Sequence, residues 1–416
     1  MNAKLTLTGL SCIKCGALYP ADDRLTCDVC GIDEGILEAE YDMEAVAQGL
    51  TREALANRPK SLWRYAELLP LPAEAERPPL QVGWTPLVDA PRMAKMAGVA
   101  RVILKDDGRN PTASFKDRAS AVGAACAKMF GRSTVACAST GNAASSMAGM
   151  AASMGIPTTI FVPERAPEPK LAQLLLFGAR VLRVHGSYDE AYDLCTKACA
   201  RYGWYNRNCA INPYLVEGKK TAGLEIGEQM GDNPPDWVVV SVGDGCTVAG
   251  ICKGMRDMKQ LGFLKRLPRV LAVQATGASA FVRQWEAEAE EKLPTEDATT
   301  VADSICVSTP RNWRKAVRGV RKSGGTVLAV EDAAILDALR SMPRLSGVFG
   351  EPAAAAAWAG VLEARSQGII SADESVLCMV TGNGLKDIRT AVNAAGQPHD
   401  IDATLEAVAQ VVGEPS

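Results

Sequence analysis

"VILKDDGRNPTASFKDRAS", Val102 to Ser120, is the stretch on which the reading of the whole chain turns. Its first residues are β-branched and apolar, as a buried strand requires. "GRNP" then breaks the strand, and "SFKDRAS" opens an Ala-rich run suited to a helix. Strand, turn and helix in that order make half of a βαβ unit, and ligands in such folds sit where strands end and helices begin. Lys116 stands at that place. An average lysine at a helix start is a solvated cation. One at such a turn, kept partly neutral by burial or neighbouring charge, can form a Schiff base.

The pattern repeats downstream. "RVILKDD", "TVACAST", "TTIFVP", "ARVLRVHG", "WVVVSVG", "RVLAVQA", "TVLAV" and "VLCMVTG" read as strands, separated by helical segments that end at Gly. Alternation of this kind predicts an α/β fold with mostly parallel sheets, and so many strands suit two domains. The expected division is 1–45, a small cysteine-bearing segment; 46–120 with 215–395, a large domain; 121–214, a small α/β domain; and 396–416, a tail.

A net charge of −3 and a pI near 5.7 argue against a nucleic-acid-binding body. Nowhere do about 18 apolar residues run together, so no membrane span is expected and the reading is of a cytoplasmic protein. Only His185 and His399 could serve as histidine bases, so acid–base chemistry must run through another group. A lysine with a pyridoxal cofactor, whose ring is an electron sink, meets that need.

Three further strand-end turns carry small and hydroxyl residues. "STGN", Ser139 to Asn142, either caps a helix or presents donors to a ligand. "VGDGCT", Val242 to Thr247, suits a phosphate held by backbone N–H groups or a plain tight turn; it is neither a dinucleotide fingerprint nor a P-loop. "TGNGLKD" spans Thr381 to Asp387.

Together with "INPYLVEGKKT" (211–221), "EPAAAAA" (351–357) and "GWTPL" (83–87), these motifs resemble those of the threonine synthases. These are pyridoxal-phosphate enzymes of the β-family, whose fold type II is shared with tryptophan synthase β chains and threonine dehydratases. The resemblance runs from about residue 10 to 390. It implies two α/β domains with twisted, mostly parallel sheets, pyridoxal 5'-phosphate as cofactor, a small amino-acid substrate and a homodimer. By it, Lys116 anchors the cofactor and shuttles protons, Asn142 bonds its 3′-oxygen, Gly243, Asp244, Gly245, Cys246 and Thr247 hold its phosphate, and Thr381 faces its ring nitrogen. Ser139, Thr140 and Gly141 fall to the substrate. Asp117 and Arg118 are expected to form an ordering ion pair.

The family pattern for the substrate's own phosphate, a Ser before Val-Asn-Pro and an Arg after it, is replaced here by Ala210 and Leu215; Ala143 and Asp244 depart as well. Lys105, Lys219, Lys220 and Arg109 are the replacement cations in view. The reactions open at this point are conversion of O-phosphohomoserine to threonine and phosphate, a cysteate-synthase-like replacement on phosphoserine, or elimination from an unphosphorylated amino acid. A catalytically silent scaffold is a further alternative, against which the retained Lys116, Asn142 and Thr381 speak.

At the front, Cys12, Cys15, Cys27 and Cys30 form C-x2-C-x11-C-x2-C. That spacing brings four thiolates into tetrahedral reach of one ion and reads as a closed, structural zinc ribbon, since so short a segment buries too little core to stand alone.

Overall fold

The computed structural model describes residues 6–166, 168–208 and 210–413. At the front, β1 (Leu7–Cys12), β2 (Leu18–Tyr19) and β3 (Leu37–Tyr41) form an antiparallel sheet in the order β2-β1-β3. Two buried lysines of the main body brace it: Lys253 Nζ donates to Ala39 O at 2.6 Å and Lys315 Nζ to Leu37 O at 2.5 Å.

After two short helices, β4 (Leu87–Asp89) pairs antiparallel with β5 (Arg101–Asp106). β6 (Val135–Ala138), β7 (Thr158–Pro163), β8 (Arg180–Val184) and β9 (Tyr205–Asn206) make a four-stranded parallel sheet ordered β8-β7-β6-β9. The chain then returns to the first sheet through β10 (Trp237–Ser241), β11 (Arg269–Ala275), β12 (Thr326–Val330) and β13 (Ser375–Val380), giving the order β12-β11-β10-β13-β5-β4. All eight expected strands form. Every residue of β10 is buried, which is why its run is apolar throughout rather than alternating: helices cover both faces of the sheet. The Ala run lies in the buried Pro352–Ser366 helix.

The Pro213–Met230 helix is buried along nearly its whole length, although it carries Glu217, Lys220 and Glu225. Buried charges persist only when paired and hydrogen-bonded. Glu225 accepts from Arg118 Nη1 at 2.5 Å and from Trp84 N at 2.6 Å, and it lies 2.8 Å from Lys105 Nζ. Arg118 Nε donates in turn to Asp107 Oδ2 at 2.6 Å. Glu217 is bonded to Lys220 and, at 2.7 Å, to Lys253. Burial works against both carboxylates, yet these cations hold Glu217 and Glu225 down to about 2.

A carboxyl whose folded pKa is depressed stabilises the fold above its unfolded pKa, near ~4.3, and that contribution is lost as pH falls through the folded value. The urea midpoint is therefore expected to hold steady above about pH 5 and to decline from about pH 4.5 towards 2. A midpoint unchanged on acidification through that window contradicts this.

Two expectations are corrected here. Lys105, in view as a cation for the substrate, is fully buried; besides Glu225 it donates to Gln229 Oε1 at 2.9 Å and Thr85 O at 3.2 Å, so its ammonium hydrogens are committed inside the core. Arg118 does not pair with Asp117: it is taken by Asp107 and Glu225, while Asp117 accepts from Thr112 N at 2.7 Å and from the Thr112 hydroxyl.

Candidate active site

β10, β13 and β5 are neighbours and parallel, so their C-terminal ends open side by side. Adjacent strands lie about 4.8 Å apart, and the turns leaving these three ends thus form one row about 10 Å wide. After β10 comes the Gly243–Thr247 turn, after β13 comes Thr381, and after β5 comes the loop to Lys116. From the smaller sheet, β6 delivers Ser139 to Asn142.

Direct contacts tie these pieces together. Phe115 N donates to Thr381 O at 2.8 Å and Asn383 N to Ala113 O at 3.0 Å, fixing the Lys116 loop to the end of β13. Glu351, absent from the residues expected at the site, closes the arrangement. Its Oε1 accepts from Thr381 Oγ1 at 2.9 Å and its Oε2 from Asn142 Nδ2 at 2.7 Å, so one buried carboxylate joins a residue of each sheet. A Cβ on Gly382 would lie 2.6 to 2.8 Å from that carboxyl group, which reserves the position for glycine. The signal is present in "EPAAAAA": a Glu directly before a Pro at a helix's first turn, whose side chain does not cap its own helix.

Lys116 is the first residue of the Lys116–Met129 helix and is half-buried. Arg118 and Asp117, locked as above, fix that first turn. Burial raises the Asp117 pKa, with the Thr112 bonds opposing it.

Three of the helices opening onto the cleft lack side-chain caps. Those starting at Lys116, Asn142 and Cys246 follow Phe115, Gly141 and Gly245, none with a capping side-chain bond. The helix-capping reading of Ser139, Thr140 and Asn142 is thus not what the structure contains; Ser139 Oγ accepts from Gly141 N, at 3.2 Å, within the turn. Uncapped N–H groups at a helix start suit an anion. Gly245 has φ +87°, and a Cβ there would sit 3.0 Å from Ala316. Only a bare backbone fits this turn, as a phosphate cradle needs.

Of the departures from the family pattern, Leu215 is fully buried and faces Gly123 of the Lys116–Met129 helix, while Ala210, at φ +75°, packs with Ile36 and Cys246. Asp244 is half-buried and its carbonyl accepts from Asn312 N at 2.9 Å. Thr247 is half-buried one residue into the helix. Lys219 is buried against Gly250, a turn further along. Lys220 is spent on Glu217, and Arg109 is exposed.

Some of the buried polar atoms without a partner among the described residues lie at this cleft: Ser114 Oγ next to the Lys116 turn, Ser241 Oγ at the end of β10, and both amide atoms of Asn312. Such atoms carry a desolvation cost until a polar group meets them. With an amine, a glycine turn and hydroxyls in one row, they fit a small phosphorylated ring.

Far from that row in sequence, the Sγ atoms of Cys12, Cys15, Cys27 and Cys30 all lie within 4.8 Å of one another, with Cys15 and Cys27 at 3.7 Å. Four sulfurs held about 2.3 Å from one ion would be about 3.8 Å apart, so the cluster can hold a metal. Burial opposes ionisation of Cys27, but the Tyr19 hydroxyl and backbone N–H groups bring its thiol down to about 6. No helix among the described residues is long and apolar enough to cross a membrane.

Comparison with known proteins gives this geometry a context. The family model described as pyridoxal-phosphate dependent enzyme matches residues 79–382. Threonine synthase of Methanosarcina acetivorans is 38% identical over 405 residues, covering 97% of this chain and 98% of its own length. That of Mycobacterium bovis is 36% identical over 329 residues, 79% and 89% of the two chains. Among solved structures, the processed form of threonine deaminase isoform 2 from Solanum lycopersicum superposes with a TM-score of 0.63 at 19% identity, covering 75% of this chain and 83% of that one. Diaminopropionate ammonia lyase from Escherichia coli gives 0.64 at 18% identity, covering 77% and 88%. These two likenesses establish the fold. The chain belongs to the threonine synthase family of pyridoxal-phosphate-dependent enzymes.

Proposed function

We propose that the chain converts O-phosphohomoserine and water to threonine and inorganic phosphate. The observation that carries the reading is the row of turns in which Glu351 joins Asn142 to Thr381 beside the Lys116 loop, in a chain of this family. Pyridoxal phosphate, when bound, supplies an electron sink that makes protons next to the amino-acid nitrogen labile. The chain's own residues do the rest.

With the cofactor bound, Lys116 would be its covalent anchor, and its amine would be the group that moves protons at the substrate carbons. Its place at the start of a helix pinned by Arg118 would hold the backbone that carries this amine in one position. Thr381 would present the ring nitrogen with a hydroxyl rather than a carboxylate; turning its hydrogen from Glu351 Oε1 to that nitrogen would leave the nitrogen largely unprotonated, which favours elimination and replacement over transamination. Asn142 orients the ring's oxygen, and Gly243, Asp244, Gly245, Cys246 and Thr247 take the cofactor phosphate. Ser139, Thr140 and Gly141 receive the substrate's carboxylate on uncapped N–H groups.

The visible spectrum of the holoenzyme tests this. O-phosphohomoserine is expected to shift it, while phosphoserine, serine, threonine and cysteate shift it less at equal concentration. A spectrum unmoved by O-phosphohomoserine and moved by one of the others contradicts the reading.

We also propose that Cys12, Cys15, Cys27 and Cys30 hold a structural Zn²⁺. Cys12→Ser with Cys27→Ser is expected to remove about one zinc per chain by metal analysis. Equal metal content in variant and wild type would end the proposal.

A further inference from the structure

The Ala210 and Leu215 exchanges remove a hydroxyl and a cation that the family uses for the substrate's phosphate, and the structure disposes of most replacements: Lys105 and Lys220 are consumed in buried ion pairs and Arg109 faces solvent. A further cation stands beside the Gly243–Thr247 turn. Arg311 is half-buried and its backbone N lies 3.5 Å from Asp244 Oδ1 in the Gly243–Thr247 turn; among the described residues its guanidinium has no carboxylate within ion-pair distance, though it feels the Asp244 charge. It is held in place by stacking, with its central carbon 4.5 Å from the centre of the Tyr192 ring.

Its neighbour Asn312 is only 1% exposed, and both its amide oxygen and its amide nitrogen lack partners among the described residues. Asn312 precedes the Trp313–Lys322 helix without capping it, and its backbone N–H is bonded to Asp244 O. The backbone of Asn312 lies 3.1 Å from where a Cβ on Gly245 would be. A stacked guanidinium, an unsatisfied buried amide and an uncapped helix start therefore meet at the edge of the phosphate turn. Ala210 packs in one cluster with Cys246 of the same turn. Burial disfavours the charge on Arg311, but Asp244, with Tyr192, Tyr188 and Asp189, outweighs it and raises the pKa, so the group stays cationic.

We propose that Arg311, with the side-chain amide of Asn312, binds the phosphate of the phosphorylated amino-acid substrate in place of the hydroxyl and cation absent at Ala210 and Leu215. The assignment rests on the functional reading above. A planar guanidinium already stacked on an aromatic ring loses little freedom on meeting a phosphate, and it can bond two oxygens at once. Asp244 then has a role: its charge keeps Arg311 at the turn until the dianion arrives.

The test is steady-state turnover of O-phosphohomoserine by holoenzyme, with inorganic phosphate as product inhibitor. Arg311→Met is expected to lower kcat/KM about 10- to 100-fold, the loss of a charge-assisted contact. It should weaken phosphate inhibition by a similar factor and leave cofactor content unchanged. Arg311→Lys, which keeps the charge but not the fork, should fall between, and guards against misfolding of the methionine variant. Unchanged kcat/KM and phosphate inhibition in both variants would overturn the assignment, as would loss of cofactor from both, which would place Arg311 on the cofactor's phosphate. A wild type inactive on O-phosphohomoserine but active on an unphosphorylated amino acid would refute the functional reading itself, and this assignment with it.

Discussion

Lys116→Ala is expected to abolish turnover, lowering kcat by at least ~10²–10⁴-fold, the contribution of a positioned acid–base group alone. The covalent anchor of the cofactor goes with it, so the visible absorbance of lysine-bound cofactor should vanish while free cofactor still binds weakly through the glycine turn. The variant should fold. Lys116 is half-buried at a helix start, where alanine is well tolerated, and the buried ion pairs of Arg118 stay in place. A variant that keeps both the absorbance and the activity would refute the role assigned to this lysine.

Glu225→Gln is expected to have the largest effect on stability. Glu225 answers two buried cations, Arg118 and Lys105, and accepts from the backbone of Trp84 and Thr85. Glutamine fills the same space but leaves the cluster with one uncompensated charge, at a cost of roughly 3–5 kcal/mol. Adding Lys105→Met restores the charge balance and should recover part of the loss in urea denaturation, a coupling that independent sites would not have. A single-variant loss below about 1 kcal/mol, or strictly additive effects, would contradict this account. Because Arg118 is two residues from Lys116, the same variant should also lower activity at temperatures where it remains folded.

Much of this architecture is legible in the chain. Runs such as "WVVVS" and "VLCMV" are strands because both faces of a parallel sheet are covered, and the small residues following them mark where ligands meet backbone. Lys116, Asn142, Thr381 and the Gly243–Gly245 turn all fall at such ends. β4 and β9, three and two residues long, are too short to carry a periodic signal.

Pairings are the hidden part. Arg118 is adjacent to Asp117 in sequence, yet its partners Asp107 and Glu225 are 11 and 107 residues away, brought there by helix packing that no local pattern encodes. Lys105 reads as an available cation because the strand's polar end is indistinguishable, in sequence, from one that faces the cleft. Glu351 is visible inside its motif, but its purpose depends on Asn142, 209 residues earlier in the chain. Arg311 and Asn312 sit in no motif, and only the unsatisfied amide and the stacked guanidinium draw attention to the pair.

The most direct measurement of the central claim is product analysis with holoenzyme and O-phosphohomoserine as sole substrate. Threonine and inorganic phosphate should appear in equal amounts, with both absent from the Lys116→Ala reaction. Phosphate release without threonine, or no consumption of O-phosphohomoserine by a cofactor-loaded wild type, would contradict it.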